Sequence, residues 1–216
     1  MRDNTIKTIL DRKIIAIVRG LEPDLIIPLA DALYSGGIRL MELTFDQSDP
    51  DSWKDTCDGI RSIAKLYEGK IYVGAGTVLS KHQVDIATEA GARYIISPDA
   101  RPEIIEHTRK ADAVSIPGCM TPTEITCAVN AGADIVKVFP AGILGTGYIR
   151  AIMAPLKHVK LFAVGGITAE NVSGFIQAGC AGAGVGGSLV NMEMIRNGRT
   201  GQITETAKEF VRLVNI

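Results

Sequence analysis

Asp134-Ile135-Val136-Lys137-Val138-Phe139-Pro140 is the stretch from which the rest of the chain can be read. Its β-branched run has the composition of a buried strand, with a charged lysine at its centre. A strand alternates its faces, so Ile135, Lys137 and Phe139 share one side and Val136 and Val138 the other. An ammonium on either face of a covered parallel strand is expensive to desolvate. Burial there lowers the pKa of Lys137 and favours the neutral amine, which is the nucleophile. The alternative is a lysine near a strand end that snorkels to water or pairs with an acid. What flanks the strand decides between the two.

In both directions apolar runs of strand length alternate with amphipathic helical patterns, which argues for parallel β/α architecture. Strands are expected at Ile14–Val18, Leu40–Phe45, Ile71–Ala75, Tyr94–Ser97, Ala113–Ile116, Asp134–Phe139, Lys160–Val164 and Gly182–Val185. Helices are expected from Pro23 to about Ser35, over the Asp49–Tyr67 region, from the cap Ser80 to Ala90, and over Pro102–Arg109. Further helices fall at Thr121–Asn130, at Tyr148–Ala154 after a Gly-rich loop, at Asn171–Ala178 and at Thr204–Val214. Eight strands, each followed by a helical segment, count out a (β/α)₈ TIM barrel, a single domain over residues 1–216. A doubly wound sheet is the alternative, but no G-x-G-x-x-G follows the first strand. The phrases Glu89-Ala90-Gly91-Ala92 and Asn130-Ala131-Gly132-Ala133 read as the repeated helix-to-strand turn of a barrel.

The 216 residues carry 23 basic and 24 acidic side chains with no basic block, which gives no electrostatic case for nucleic acid. No apolar run reaches the ~20 residues of a membrane helix, and the N-terminus lacks a signal pattern. The expectation is a soluble cytoplasmic protein with no nucleic-acid or membrane partner. Cys57, Cys119, Cys127 and Cys180 are scattered, as are His82, His107 and His158. Neither set has the spacing of a disulfide frame or a zinc site, so no metal is expected.

Barrel active sites lie at the C-terminal ends of the strands. There the second strand carries Glu42 and Thr44 on one face, opposite Met41, Leu43 and Phe45. A carboxylate and an amine both pointing into a barrel could divide the roles of proton carrier and nucleophile. A purely structural buried ion pair adds little stability, which makes it a poor reason for their placement. Gly74-Ala75-Gly76-Thr77 ends the third strand, where glycine allows close backbone approach and Thr77 offers a hydroxyl. Gly165-Gly166 follows the seventh strand and Gly186-Gly187-Ser188 the eighth, the two places where barrels bind phosphate through backbone N–H groups. Arg19 closes the first strand, placed to fork onto a carboxylate or phosphate.

These pieces, in this order, resemble the class I 2-keto-3-deoxy-6-phosphogluconate (KDPG) aldolases, grouped with the 4-hydroxy-2-oxoglutarate (KHG) aldolases. The resemblance rests on Gly36-Gly37-Ile38-Arg39 through Glu42-Leu43-Thr44, Gly74 to Leu79, Ile96-Ser97-Pro98, Ile116-Pro117-Gly118, Val136 to Ala141, Gly165-Gly166-Ile167 and Gly186-Gly187-Ser188. The tail Phe162–Gly184 also looks like the 6-phosphogalactonate aldolases. The resemblance implies a Schiff-base aldehyde-lyase acting on a 2-keto acid, with phosphogluconate as the leading substrate. 4-Hydroxy-2-oxoglutarate and the phosphogalactonate epimer are the alternatives. It further implies that Lys137 forms the imine, Glu42 is the acid/base, Thr77 contacts the pyruvate part, and Gly165, Gly166, Gly187 and Ser188 bind phosphate. No metal or organic cofactor is implied, and a homotrimer is.

One position departs from the family pattern. Many members carry an arginine for the substrate carboxylate two residues after the strand-two threonine, where this chain has Asp46. Either Arg19 supplies the missing charge, as the matching arginine does in the phosphogalactonate branch, or backbone N–H groups suffice. Two other readings are a phosphate-binding barrel isomerase or synthase that uses Lys137 only as a charge, and a non-catalytic sugar-phosphate binder.

Overall fold

The computed structural model describes residues 1–20 and 22–215. Its strands are β1 (Ile14–Val18), β2 (Leu40–Thr44), β3 (Tyr72–Gly76), β4 (Tyr94–Ile96), β5 (Val114–Ile116), β6 (Gly118–Cys119), β7 (Val136–Val138), β8 (Leu161–Val164) and β9 (Gly182–Val185). All pair in parallel, in the order β5-β4-β3-β2-β1-β9-β8-β7-β6, a nearly closed barrel with helices between its strands. The expected eight strands become nine because a short strand not expected, Gly118–Cys119, follows the fifth across Pro117. Proline has no N–H to donate, so β5 pairs with β4, β6 with β7, and the two edges of the sheet are neighbours in sequence. The Pro117 carbonyl still accepts from Lys137 N–H at 2.9 Å, and Ser115 O accepts from Asp134 N–H at 3.1 Å, which ties the seam.

The helices are α1 (Arg2–Arg12), α2 (Ile26–Ser35), α3 (Trp53–Leu66), α4 (Lys81–Glu89), α5 (Pro102–Lys110), α6 (Pro122–Asn130), α7 (Ala141–Met153), α8 (Ala169–Gln177), α9 (Met192–Arg196) and α10 (Thr200–Val214). Ser80 caps α4 as expected, its hydroxyl accepting from Gln83 N–H at 3.2 Å. The Ala-Gly-Ala turns are Schellman motifs: Gly91 and Gly132 take φ of 107° and 99°, and the next residue donates back to the carbonyl five residues earlier. Gly37-Ile38 and Gly179-Cys180 repeat the device, which fixes how each helix re-enters the barrel.

Three expectations are corrected. The strand Asp134–Phe139 is a ladder only at Val136–Val138, because the Asp134 carboxylate instead accepts from Arg2 of α1 at 2.6 Å and from Ser115 N–H at 3.0 Å. The segment expected to be a Gly-rich loop before Tyr148 is helical from Ala141, broken at Gly145 (φ 78°, ψ 168°). The final helix begins at Thr200 rather than Thr204, and α1 and α9 were not expected at all. The few apolar residues of α1 explain the omission: Ile9, with Ile6 and Leu10 beside it, plugs the bottom of the barrel.

Alternation around the barrel then separates two cores. Met41, Leu43, Val136, Val138 and Ala163 face outward against the helices. Ile15, Leu40, Tyr94, Val114, Ile135 and Phe162 face inward over Ile9. Burying each large side chain contributes roughly 1.5–3 kcal/mol. The interior is thus a packed apolar floor, and the polar residues of the inward faces stand on it.

Candidate active site

Above the floor, at the C-terminal ends of the strands, opens a cavity of about 1040 Å³. Its lining includes Arg19, Glu42, Thr77, Lys137, Gly165, Gly166, Gly187 and Ser188, so every candidate site residue of the sequence faces one space. Such a volume suits a small-molecule ligand.

Lys137 is 8% exposed and Glu42 2% exposed. Burial lowers the lysine pKa, the Glu42 charge opposes that shift, and Arg19 assists it. Burial raises Glu42 to about 7, against the smaller pull of Lys137 and Arg19. Among the described residues the two form no ion pair, and Glu42 Oε2 has no hydrogen-bond partner. One amine and one carboxyl, each pushed toward its neutral form in one cavity, can serve as nucleophile and proton carrier. The Phe139 ring lies 4.8 Å from Lys137 Nζ, on the shared inward side that strand alternation requires.

Arg19 is exposed at the rim and, among the described residues, enters no ion pair. Thr77 follows β3 in the left-handed region at φ 56°, an uncommon conformation for a β-branched residue. The Gln47 amide holds it there by donating to Thr77 O at 2.7 Å. Asp46 builds the same loop. Its Oδ1 accepts from Ser48 N–H at 2.8 Å and Ser48 Oγ at 2.6 Å, and its carbonyl accepts from Trp53 Nε1 at 2.6 Å. The Ser48 hydroxyl and N–H hold its carboxyl below the usual range. Asp46 thus has one carboxyl oxygen tied to its own loop, while the side chain stays exposed and lines the cavity.

On the far side, Gly165 and Gly166 take φ of 88° and 73° and lead into α8, whose cap Thr168 donates its N–H to Asn171 Oδ1 at 2.9 Å. Gly186-Gly187-Ser188 turns beside them, with Leu189 and Val190 N–H both returning to Gly186 O. Among the described residues the N–H groups of Gly166, Gly187 and Ser188 donate to nothing, leaving a concave set of donors. The Ser188 hydroxyl donates to Ile167 O at 2.6 Å, so its backbone N–H is what it offers the cavity.

The family described as KDPG and KHG aldolase matches residues 5–206. The chain belongs to the KDPG and KHG aldolase family. It is an aldolase, a carbon–carbon lyase. The 2-dehydro-3-deoxy-6-phosphogalactonate aldolase of Escherichia coli (strain K12) is 37% identical over 82% of this chain and 83% of its own. The 2-dehydro-3-deoxy-phosphogluconate aldolase of Treponema pallidum (strain Nichols) is 32% identical over 88% of each. Among solved structures, a KDPG aldolase from Legionella pneumophila, with pyruvate captured at low pH as a covalent carbinolamine, superposes with a TM-score of 0.82. That match covers 95% of this chain and 97% of the other at 27% identity.

Sequence reasoning gave no site role to several residues of this aldolase's interior. Tyr94, fully buried, reaches across from β4 to donate to Met41 O at 2.6 Å, beside Glu42. Pro98, noted only as part of a family motif, joins the lining after β4, with Gln47 and Ser48 of the loop after β2. Nothing local signals the part played by Tyr94, because it comes from strand four, far in sequence from Glu42 and Lys137. Among the described residues no His, Cys, Asp and Glu side chains gather as a metal site, and no helix is long and apolar enough to cross a membrane.

Proposed function

We propose that this aldolase cleaves a 2-keto-3-deoxy-6-phospho-hexonate to pyruvate and glyceraldehyde 3-phosphate through an imine on Lys137. The observation that carries the reading is the buried amine of Lys137 sharing one cavity with the buried carboxyl of Glu42, the pKa of each displaced toward the neutral form. The neutral amine adds to the substrate C2 ketone, and the carbinolamine loses water to give the iminium. Glu42 supplies the proton to the departing oxygen and, as carboxylate, takes the C4 hydroxyl proton. The C3–C4 bond breaks, its electron pair moves onto the iminium nitrogen, and the aldehyde leaves. The enamine is protonated at C3, and water hydrolyses the pyruvyl imine back to the free lysine. Arg19 holds the C1 carboxylate, Thr77 contacts the pyruvate part, and the N–H groups at Gly165, Gly166, Gly187 and Ser188 receive the phosphate. The carbinolamine in the Legionella relative supports this order of events.

Within this class the galactonate epimer is the second reading. With Asp46 at the position where many members carry an arginine, Arg19 is the one arginine lining the cavity among the described residues. The Escherichia coli phosphogalactonate aldolase, at 37% identity, points the same way. The cavity's volume and its lining of free N–H donors favour a phosphorylated chain over 4-hydroxy-2-oxoglutarate.

A homotrimer in a reducing, cytoplasmic setting completes the proposal. Met120 after β6 and Ile143 in α7 are 48% and 84% exposed, and these large apolar side chains open to solvent support contact with a second copy. The four cysteines are unpaired, three of them buried.

The test is mass spectrometry after pyruvate and borohydride, with Lys137→Ala alongside. A reduced pyruvyl adduct mapped to Lys137, and lost in Lys137→Ala, is expected. No adduct, under conditions that trap another lysine aldolase, would overturn the mechanism. The ratio of kcat/KM for the two 6-phospho epimers then assigns the substrate.

A further inference from the structure

Glu42 lies on β2 and points into the barrel, and β3 beside it presents two glycines inward, Gly74 opposite Glu42 and Gly76 opposite Thr44. Each glycine is a socket for a particular side chain. A Cβ built on Gly76 would overlap Glu42 Oε1 and lie 2.5 Å from its Cδ and 2.7 Å from its Cγ, and these are the nearest atoms to it. A Cβ on Gly74 would overlap the Tyr94 ring and lie 2.6 Å from Tyr94 O. The Tyr94 ring therefore crosses β3 at Gly74, and its hydroxyl reaches Met41 O on β2. The glutamate leans along the barrel wall into the next opening, with this ring beside it.

We infer that Gly76 is a positioning residue: the space left by its missing side chain holds the carboxyl of Glu42 against the wall of β3, with Tyr94 alongside, and keeps it from reaching across the cavity to Lys137. The inference rests on the proposed roles of Glu42 and Lys137. Its physical content is the ion pair that does not form. Opposite charges on two buried side chains attract strongly, and a carboxylate free to swing would pair with the ammonium. Pairing would stabilise the charged form of both groups, leaving a protonated lysine that cannot attack and a carboxylate that cannot donate. Tyr94 completes the arrangement by filling the Gly74 socket and shutting water out on that side. Gly74 and Gly76 are thereby read as sockets for the barrel's own side chains, a different use from close approach to a ligand.

The test compares wild type, Gly76→Ala and Glu42→Asp/Gly76→Ala, with Glu42→Asp as reference. The rate of pyruvate-dependent trapping by cyanoborohydride is followed from pH 5 to 10, together with thermal midpoints. In Gly76→Ala the displaced carboxylate should move the alkaline midpoint for trapping upward by at least about one pH unit and slow trapping at pH 7 about tenfold or more, the rate change following the protonated fraction of the lysine. The shorter aspartate removes the overlap, so Glu42→Asp/Gly76→Ala should behave within about threefold of Glu42→Asp, a factor worth under about 1 kcal/mol. If Gly76→Ala does not fold but the double variant does, the space is still identified as that of Glu42. An unchanged pH profile in a folded Gly76→Ala, or the loss of folding in both alanine variants, would overturn the inference. Failure of wild type to trap pyruvate at all would instead overturn the imine mechanism on which it rests.

Discussion

Replacing Glu42 by glutamine should flatten a pH dependence of stability that the wild type owes to one buried carboxyl. Glu42 is 2% exposed, and burial raises its pKa from 4.5 to about 7. Between those values the folded state holds a proton that the unfolded state has lost, so the unfolding free energy falls as pH rises through the window. Each pH unit is worth 1.36 kcal/mol, which gives about 3 kcal/mol in all and about 2.5 kcal/mol between pH 5 and 8. Glutamine keeps the shape and cannot titrate, and any hydrogen bond it lacks shifts its whole curve without tilting it. Lys137, whose pKa burial lowers, works with the opposite sign and adds stability as pH rises toward its ordinary 10.5. The assay is urea unfolding followed by Trp53, the one tryptophan, at pH steps from 5 to 8. The wild-type free energy should fall relative to Glu42→Gln by about 2.5 kcal/mol across that range. Parallel curves would refute the claim that this carboxyl is forced toward its neutral form.

Arg19→Met should raise KM for the keto acid about 10- to 100-fold with kcat less affected, the scale of a lost hydrogen bond to a charged group; an unchanged KM would remove Arg19 from carboxylate binding. Ser188→Ala should change KM for the phosphorylated substrate less than about threefold, because its hydroxyl serves Ile167 O, and should lower stability by about 1 kcal/mol; a large KM effect measured by steady-state kinetics would show that the hydroxyl turns to the phosphate. Ile143→Asp places a charge on an exposed apolar side chain, and light scattering should report a smaller assembly than the trimer proposed for the wild type; a monomeric wild type, or a variant of unchanged mass, would exclude that residue from the contact.

Local pattern was enough for much of this aldolase. The alternation of strand and helix, the turn glycines Gly91 and Gly132, and the inward side shared by Ile135, Lys137 and Phe139 follow from side-chain period and backbone sterics, which act over a few residues. The break at Pro117 was also written locally, in a missing N–H, though reading it required knowing which neighbour the strand on either side would find. Helix α1 was hidden because its packing face is three residues wide, and its meaning depends on the barrel mouth it closes. The site divides in the same way. Glu42, Lys137, Thr77, Arg19 and the two glycine pairs were legible as polar or flexible residues at strand ends, where barrels place their chemistry. That one Asp46 carboxyl oxygen is tied to Ser48, that the Ser188 hydroxyl faces Ile167, and that Glu42 occupies the space of an absent side chain at Gly76 were not. Sequence settled which chemical groups stand at the mouth of the barrel, because period and turn geometry are local. Only the tertiary structure decided how far each is from water and which neighbour it touches, because burial and contact are set by strands that meet after folding.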